Sequence, residues 1–149
     1  MNDSLKIIGN LKIEKRDKDN KIVETRTIPN LVVNAGKAYV ASRLVNNPTA
    51  NVPNSMALGS SATTPIPTHT ALLSELGRVK DANFSNVISS NTITFSGVFG
   101  GGVATGSCAE AGIFDSPDVG GTMLCRTVFS AITKGASDSI TVTWNVTIA

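Results

Sequence analysis

The sequence predicts an all-β fold, an antiparallel β-sandwich resembling a jelly roll, with one short helix and an N-terminal β-hairpin. Two observations predict strands: about eight short apolar segments are separated by turn residues, and the final segment alternates strictly between apolar and polar residues. Its apolar positions are Ile140, Val142, Trp144, Val146 and Ile148. A third observation is that only one segment has helical spacing. No repeat or linker divides the 149 residues, which is a suitable length for one domain.

The predicted hairpin opens the chain. Leu5 to Glu14 alternates between apolar and polar residues, as a half-buried strand does. Turn formers occupy 17–20, and the returning strand runs from Lys21 to Ile28. We interpret the chain 1–149 as a single domain in which 1–28 is an N-terminal hairpin arm and 29–149 is the β-sandwich.

The predicted helix covers about 34–45. Asn34 is a suitable N-cap residue, and Val40, Ala41, Leu44 and Val45 fall on one helical face. The sequence Asn-Asn-Pro at 46–48 ends the helix, because proline disfavours helical backbone in the residue before it.

The remaining predicted strands follow in chain order. They cover 56–58, 78–88, 92–99, 109–114, 122–132 and 139–148, and 78–88 is expected to pair with 92–99 across 89–91. The segment 71–76 is either one helical turn or the start of a strand. The predicted core residues are Phe95, Phe129, Ile140, Val142, Trp144 and Val146.

Charge is distributed unevenly along the chain. Residues 1–43 contain nine of the 13 basic and five of the 11 acidic residues, and the net charge of +2 does not argue for a nucleic-acid partner. The mixed-sign run in the hairpin is either a solvated tip or a contact with a charged protein surface. The candidate contact residues are Lys12, Glu14, Lys15, Arg16, Asp17, Lys18 and Lys21.

Two long stretches, 44–74 and 82–109, contain no Asp, Glu, Lys or Arg. They are either ordinary polar loops or surfaces buried between copies of the protein, since a free monomer normally keeps more surface charge. No apolar run approaches the ~18 residues of a membrane span, and the N-terminus has no signal-peptide pattern. We therefore expect neither a membrane partner nor secretion.

The residues that usually carry catalysis are scarce. His69 is the single histidine, so a site with several histidine ligands cannot form, and a surface role is expected for it rather than a catalytic or metal-binding one. Cys108 and Cys125 lie outside any CxxC motif. They are expected to be buried thiols, with a disulfide left open if their strands are neighbours.

Other arrangements that could support chemistry are weak. Glu75, Glu110, Asp115 and Asp118 could supply a glycosidase pair, but aromatic residues, which stack on sugars, make up only 5% of the chain. The glycine run 100–106 lacks the lysine ending of a phosphate-binding loop and is better explained as a bent strand connection. The sequence therefore predicts no catalytic residue, metal site or cofactor, and a protein that is not an enzyme.

Four segments carry a resemblance to a known group of proteins. They are N-L-V-V-N-A-G-K-A-Y-V-A-S-R-L at 30–44, M-A-L-G-S-S-A-T-T-P at 56–65 with T-A-L-L-S-E-L-G-R at 70–78, A-E-A-G-I-F-D at 109–115, and G-T-M-L-C-R-T-V-F at 121–129. Together they resemble small structural proteins in the virions of tailed bacteriophages. The segment E-A-G-I-F-D is also similar to modules of phage tail fibres and baseplates.

This resemblance implies a non-enzymatic capsid decoration or cement protein that binds and stabilises the outer shell. The implied partners are the major capsid protein and copies of itself, as a dimer or trimer, and the implied location is the virion, assembled in the host cytoplasm. The alternative is a tail-associated fibre or baseplate adaptor, or a receptor-binding module with a host surface receptor. A compact domain without coiled-coil heptads favours decoration.

Overall fold

The computed structural model describes residues 3–149, and its strands confirm the all-β prediction. The elements are β1 (Ile7–Arg16), β2 (Ile22–Val32), α1 (Asn34–Leu44), β3 (Ser55–Gly59), β4 (Glu75–Lys80), β5 (Phe84–Ser89), β6 (Thr92–Phe99), β7 (Gly106–Phe114), β8 (Met123–Lys134) and β9 (Ser139–Ile148). A short 3-10 turn, Asp81–Asn83, joins β4 to β5. In this described part of the chain, no helix has the length and apolar character needed to cross a bilayer.

The nine strands form one antiparallel series in the order β4-β3-β7-β8-β2-β1-β9-β6-β5. The series folds over where β2 meets β8, because those strands share only two paired positions, Leu31 with Arg126 and Val32 with Cys125. One layer is therefore β4-β3-β7-β8 and the other is β2-β1-β9-β6-β5. The result is a nearly closed, barrel-like sandwich.

The hairpin prediction was right in its strands and wrong in its position. β1 pairs with β2 on one side and with β9 along its whole length on the other, from Ile7 opposite Ile148 to Arg16 opposite Ser139. Leu11 and Ile13 are 0% and 1% exposed. The hairpin is thus the middle of a layer and not an arm beside the sandwich. Alternation along a strand reports that one face is buried, but not which neighbours bury it.

The helix forms where it was predicted, but its N-cap is different. Val33 occupies the cap position with no side-chain hydrogen bond, and the N–H of Asn34 donates to Pro67 O at 2.8 Å. A distant loop therefore satisfies a donor that a cap side chain would otherwise bind. Gly36 rests on β8, where a Cβ would lie 2.2 Å from Leu124 O. This close approach holds α1 against the open side of the sandwich.

The predicted strand bounds agree best with the structure where the alternation of apolar and polar residues is longest. β6 and β9 have the predicted bounds, whereas the predicted strand 78–88 is interrupted by the 3-10 turn, in which Asp81 has φ +52°. The six predicted core residues all lie in the main hydrophobic cluster, with at most 7% of their surface exposed. Trp144 lies in register between Leu11 of β1 and Phe95 of β6.

Candidate functional site

The predicted contact residues on the hairpin are mostly engaged within the chain. Glu14 forms ion pairs with Lys12 at 3.2 Å and Arg16 at 3.9 Å. Lys15 pairs with Asp138 in the turn between β8 and β9 at 3.5 Å. These four hairpin residues therefore stabilise their own surface before they meet any partner, although exposed pairs of this kind contribute only about 0–1 kcal/mol each.

The tip of the hairpin keeps its free charges. Asp17 Oδ1 accepts hydrogen bonds from the N–H groups of Asp19 and Lys21 at 2.9 and 3.0 Å, which shapes the turn. Lys18, Asp19 and Lys21 are exposed and form no ion pair with another described residue. These three residues, together with the half-exposed Asp17, are the charges available for contacts at the tip.

Two more turns, 100–105 between β6 and β7 and 135–138 between β8 and β9, lie at the same end of the sandwich as the hairpin tip. The register places them there, because Arg16 is opposite Ser139 and Phe99 is opposite Ile140. The N–H of Gly135 donates to Asp138, which lowers the pKa of that carboxyl, and Lys15 lowers it further. Lys134 is fully buried beneath these turns and donates to Gly100 O at 2.8 Å. Burial lowers the pKa of Lys134. We call the region formed by the hairpin tip 17–21 and the turns 100–105 and 135–138 the charged end.

The opposite end of the sandwich has an open apolar groove between α1 and the inner face of β1, β9, β6 and β5. Two cavities of about 310 and 300 Å³ adjoin there and share Ile7 and Val40. We define the apolar groove by Leu5, Ile7, Val40, Leu44, Val52 and Ile88. It exists because the single helix is too narrow to cover the ends of four strands.

Four aliphatic side chains of the groove are unusually exposed. Leu5 is 67%, Leu44 76%, Val52 57% and Ile88 72% exposed. The helical face predicted to be buried is thus partly open, and its Leu44 contributes to the rim of the groove. A contiguous exposed apolar surface of this kind is typical of a site that binds another macromolecule.

Glu110 and Arg126 form a buried ion pair that fixes the loop 60–74. Glu110 Oε2 accepts from Arg126 Nε at 3.0 Å and Nη2 at 2.8 Å, and neither side chain is exposed. The other oxygen, Oε1, accepts from the N–H groups of Ser74 and Ser61 at 2.8 and 3.3 Å. The carboxylate is therefore saturated with structural donors.

His69 belongs to the same network. Arg126 Nη1 lies 3.1 Å from His69 Nδ1, and the N–H of Ile66 donates to that same nitrogen at 3.3 Å. Arg126 Nη1 also donates to Thr63 O at 3.0 Å. Since Nδ1 accepts, the ring proton resides on Nε2. The histidine anchors the loop, a role that its sequence surroundings did not indicate.

The other candidate acids also hold structure in place. Asp115 accepts from the N–H groups of Asn51 and Thr122, and Glu75 pairs with Arg78 at 2.8 Å. Arg78 in turn donates to the carbonyl oxygens of Ser116, Asp118 and Gly120. Within residues 3–149, no three His, Cys, Asp or Glu side chains gather as metal ligands would.

The two cysteines are free, buried thiols. Cys108 lies opposite Ile132, whereas Cys125 lies opposite Ile113, so neighbouring strands hold them out of register with each other. Burial raises the pKa of Cys108, and it raises the pKa of Cys125 to about 12. Both thiols are therefore protonated and poorly nucleophilic near neutral pH.

The sequence reasoning missed both the ion pair and the groove. One signal for the pair was present, because Glu110 follows Cys-Ala and Arg126 follows Met-Leu-Cys, so each charge stands directly after apolar residues of its strand, and buried charges need partners. The groove had no such signal, since it depends on how far the helix extends over the sheet. Compared with models of known protein families, with curated proteins and with solved structures, this chain has no match.

Proposed function

We propose that this chain is a non-enzymatic structural protein of a bacteriophage virion, which decorates the outer capsid shell and stabilises it. The observation that supports the proposal best is the separation of two chemically different surfaces at opposite ends of one sandwich. A protein that joins two shell subunits needs two contact surfaces, and this molecule offers an apolar groove at one end and a charged end at the other.

The distance between the two surfaces suits a bridging role. β1 runs from Ile7, in the apolar groove, to Arg16, at the charged end, and the nine residue steps between them span about 30 Å. Both neighbours of β1 pair along most of this length, so the two ends cannot move independently. A shell subunit held at one end would then be linked to whatever the other end contacts.

The two surfaces would contribute differently to binding. The apolar groove supplies contact area that gains free energy on leaving water, as the centre of a protein interface does. Lys18, Asp19 and Lys21 supply charges that orient the approach and add little affinity. The proposed partners are the major capsid protein and copies of this chain, and repeated weak contacts on a symmetric shell reinforce one another.

The segment E-A-G-I-F-D, which resembles modules of phage tail fibres and baseplates, has a structural role in this fold. Its Glu110 anchors the loop 60–74 through the buried pair with Arg126, and its Asp115 holds Asn51 and Thr122. These residues maintain a fold and do not form an exposed surface. The segment is thus compatible with either virion position, and a tail-associated adaptor is the alternative outcome of the test below.

The test is to locate the protein on purified virions of the phage that encodes it. Immunogold electron microscopy with antibody to the recombinant chain is expected to label the head surface. Label confined to the tail tip would favour the tail-associated adaptor over capsid decoration. If the virions carry no label and their mass spectrum contains no peptide of this chain, a virion role is refuted.

A binding experiment then tests the surface. Recombinant chain is added to particles that lack it, and occupancy is measured by quantitative gel analysis. Leu44→Asp is expected to reduce the affinity about tenfold or more, because one desolvated leucine contributes about 1.5–3 kcal/mol. Val119→Asp is the matched control, since Val119 is 83% exposed in the loop between β7 and β8, away from the groove. Equal binding by the two variants would contradict the role of the groove.

A further inference from the structure

The two edges of the strand series are protected very differently. β4 contains Glu75, Arg78 and Lys80, and the loop 115–121 is fastened to it through Arg78 and through Lys80, which lies 3.5 Å from Asp118. Its pairing with β3 is irregular at Leu58 and Gly59. Charges, covering loops and bulges are the usual means by which proteins prevent an edge strand from pairing with another chain.

β5, the other edge, has none of these protections. Its sequence is Phe-Ser-Asn-Val-Ile-Ser, without charge or proline, and its register with β6 is regular from Phe84 to Ser89. Residues 85–89 are all exposed, including Val87 at 65% and Ile88 at 72%. One row of backbone N–H and C=O groups along this strand has no partner strand in the sheet. Such an edge is a template for strand addition.

β5 has one symmetric feature about Val87, a serine two residues away on each side. Ser85 and Ser89 flank it at equal distances, and Asn86 and Ile88 are its immediate neighbours. We propose that β5 pairs antiparallel with β5 of a second copy of this chain, about a two-fold axis at Val87. Each Ser85 then faces Ser89 of the other copy, and the two Val87 residues face each other.

This register satisfies two geometric requirements. Opposed residues must point to the same sheet face, and Ser85, Val87 and Ser89 do share one face while Asn86 and Ile88 share the other. A two-residue turn at 90–91 joins β5 to β6, so Ser89 and Thr92 form the hydrogen-bonded pair that closes it. Because hydrogen-bonded pairs alternate along an antiparallel ladder, the backbone groups of Ser85, Val87 and Ser89 bond to β6. The backbone groups of Asn86 and Ile88 then point outward, where the proposed register pairs them.

A second copy fits this edge better than a charged partner does. The whole stretch 82–109 contains no Asp, Glu, Lys or Arg, so two copies can approach along β5 without repulsion between like charges. The pairing would also place the two Ile88 side chains, which line the two apolar grooves, near each other on the inner face. Isologous contact of this kind gives a closed dimer and not a fibre.

A cysteine placed on the axis tests the register directly. In the proposed dimer the two Val87 residues form a pair without hydrogen bonds, with Cα atoms about 4.5 Å apart, which suits a disulfide. Oxidised Val87→Cys is expected to run as a covalent dimer on a non-reducing gel. The matched control is Val98→Cys on β6, because Val98 is 41% exposed on the same outer face but away from the edge. Both native cysteines are buried and free.

Sedimentation velocity across a concentration series gives the second readout. Wild-type protein is expected to be a dimer, and Val87→Lys, which places two lysines across the axis, is expected to raise the dissociation constant at least about tenfold. Val87→Thr should keep the dimer, and circular dichroism should show all three proteins folded. A monomeric wild type would overturn the proposal and leave the edge to a different protein. A dimer that survives Val87→Lys, or equal cross-linking by the two cysteine variants, would also overturn it.

Discussion

The guanidinium of Arg126 and the carboxylate of Glu110 bind side by side across strands β7 and β8, with Nε and Nη2 at 3.0 and 2.8 Å from one oxygen and no exposed surface on either side chain. Glu110 lies opposite Val128 and Gly112 opposite Arg126, so the two charges meet on a diagonal. Hydrogen bonds between this pair and the backbone hold the uncharged loop 60–74 against the sheet.

Replacing Glu110 by Gln is expected to destabilise the protein by about 3–5 kcal/mol, because Arg126 would stay buried without a counter-charge. Urea unfolding followed by tryptophan fluorescence measures this free energy. Glu24→Gln is the control, since the pair between Glu24 and Arg26 is partly exposed and its loss should cost less than about 1 kcal/mol. Equal effects from the two substitutions would show that burial of the Glu110 pair is unimportant.

Deleting residues 1–28 is expected to abolish folding. The deletion removes β1 and most of β2, and with them Leu11 and Ile13 of the core and one of the two strands that pair with β9. Far-UV circular dichroism and thermal unfolding should show no cooperative transition. Lys18→Ala with Asp19→Ala, a change confined to the exposed tip, should alter the free energy of unfolding by no more than about 0.5 kcal/mol. A folded truncated chain would mean that β9 and β8 can pair without the hairpin.

Replacing Trp144 by Ala should cost about 3–5 kcal/mol, because a fully buried ring between Leu11 and Phe95 leaves a large cavity. Chemical denaturation followed by circular dichroism measures the change without the tryptophan signal. Thr143→Ala on the opposite face of β9 is the control, with an expected change within about 0.5 kcal/mol. A loss below about 1 kcal/mol for Trp144→Ala would contradict its place in the core.

The burial of Lys134 predicts a dependence of stability on pH. Burial lowers its pKa, so between that lowered value and the ordinary 10.5 the unfolded chain binds more protons than the folded one. The contribution of Lys134 to the free energy of unfolding therefore rises as the pH increases through that window. Relative to Lys134→Met, the wild-type protein should gain free energy of unfolding as the pH rises toward 10.5, measured by urea unfolding.

Neighbouring groups must be controlled in that comparison. Cys108 and Asp138 both raise the pKa of Lys134, in opposition to the larger effect of burial, and Cys108 itself titrates in the alkaline range. Both proteins should therefore be compared in a Cys108→Ala background. A stability difference that stays constant with pH would show that Lys134 keeps its ordinary pKa in the folded state.

Local patterns predicted the strands well where alternation was long and uninterrupted, as in β6 and β9, because a period of two follows directly from the strand backbone. They failed at Asp81, where a positive φ breaks one predicted strand into two. They also failed at the N-terminus of α1, since the donor of Asn34 is satisfied by Pro67, a residue far away in the chain. The failure at α1 lies at a position where a tertiary contact overrides local preference.

The sequence by itself determined the fold class, the helix and most of the core, because strand alternation and turn residues act over a few neighbouring positions. Only the tertiary structure decided that the hairpin lies in the middle of a layer, that Glu110 meets Arg126, and that α1 leaves a groove beside Ile88. Those relationships join residues distant in the chain, and their positions depend on strand order and layer closure, which no local pattern encodes.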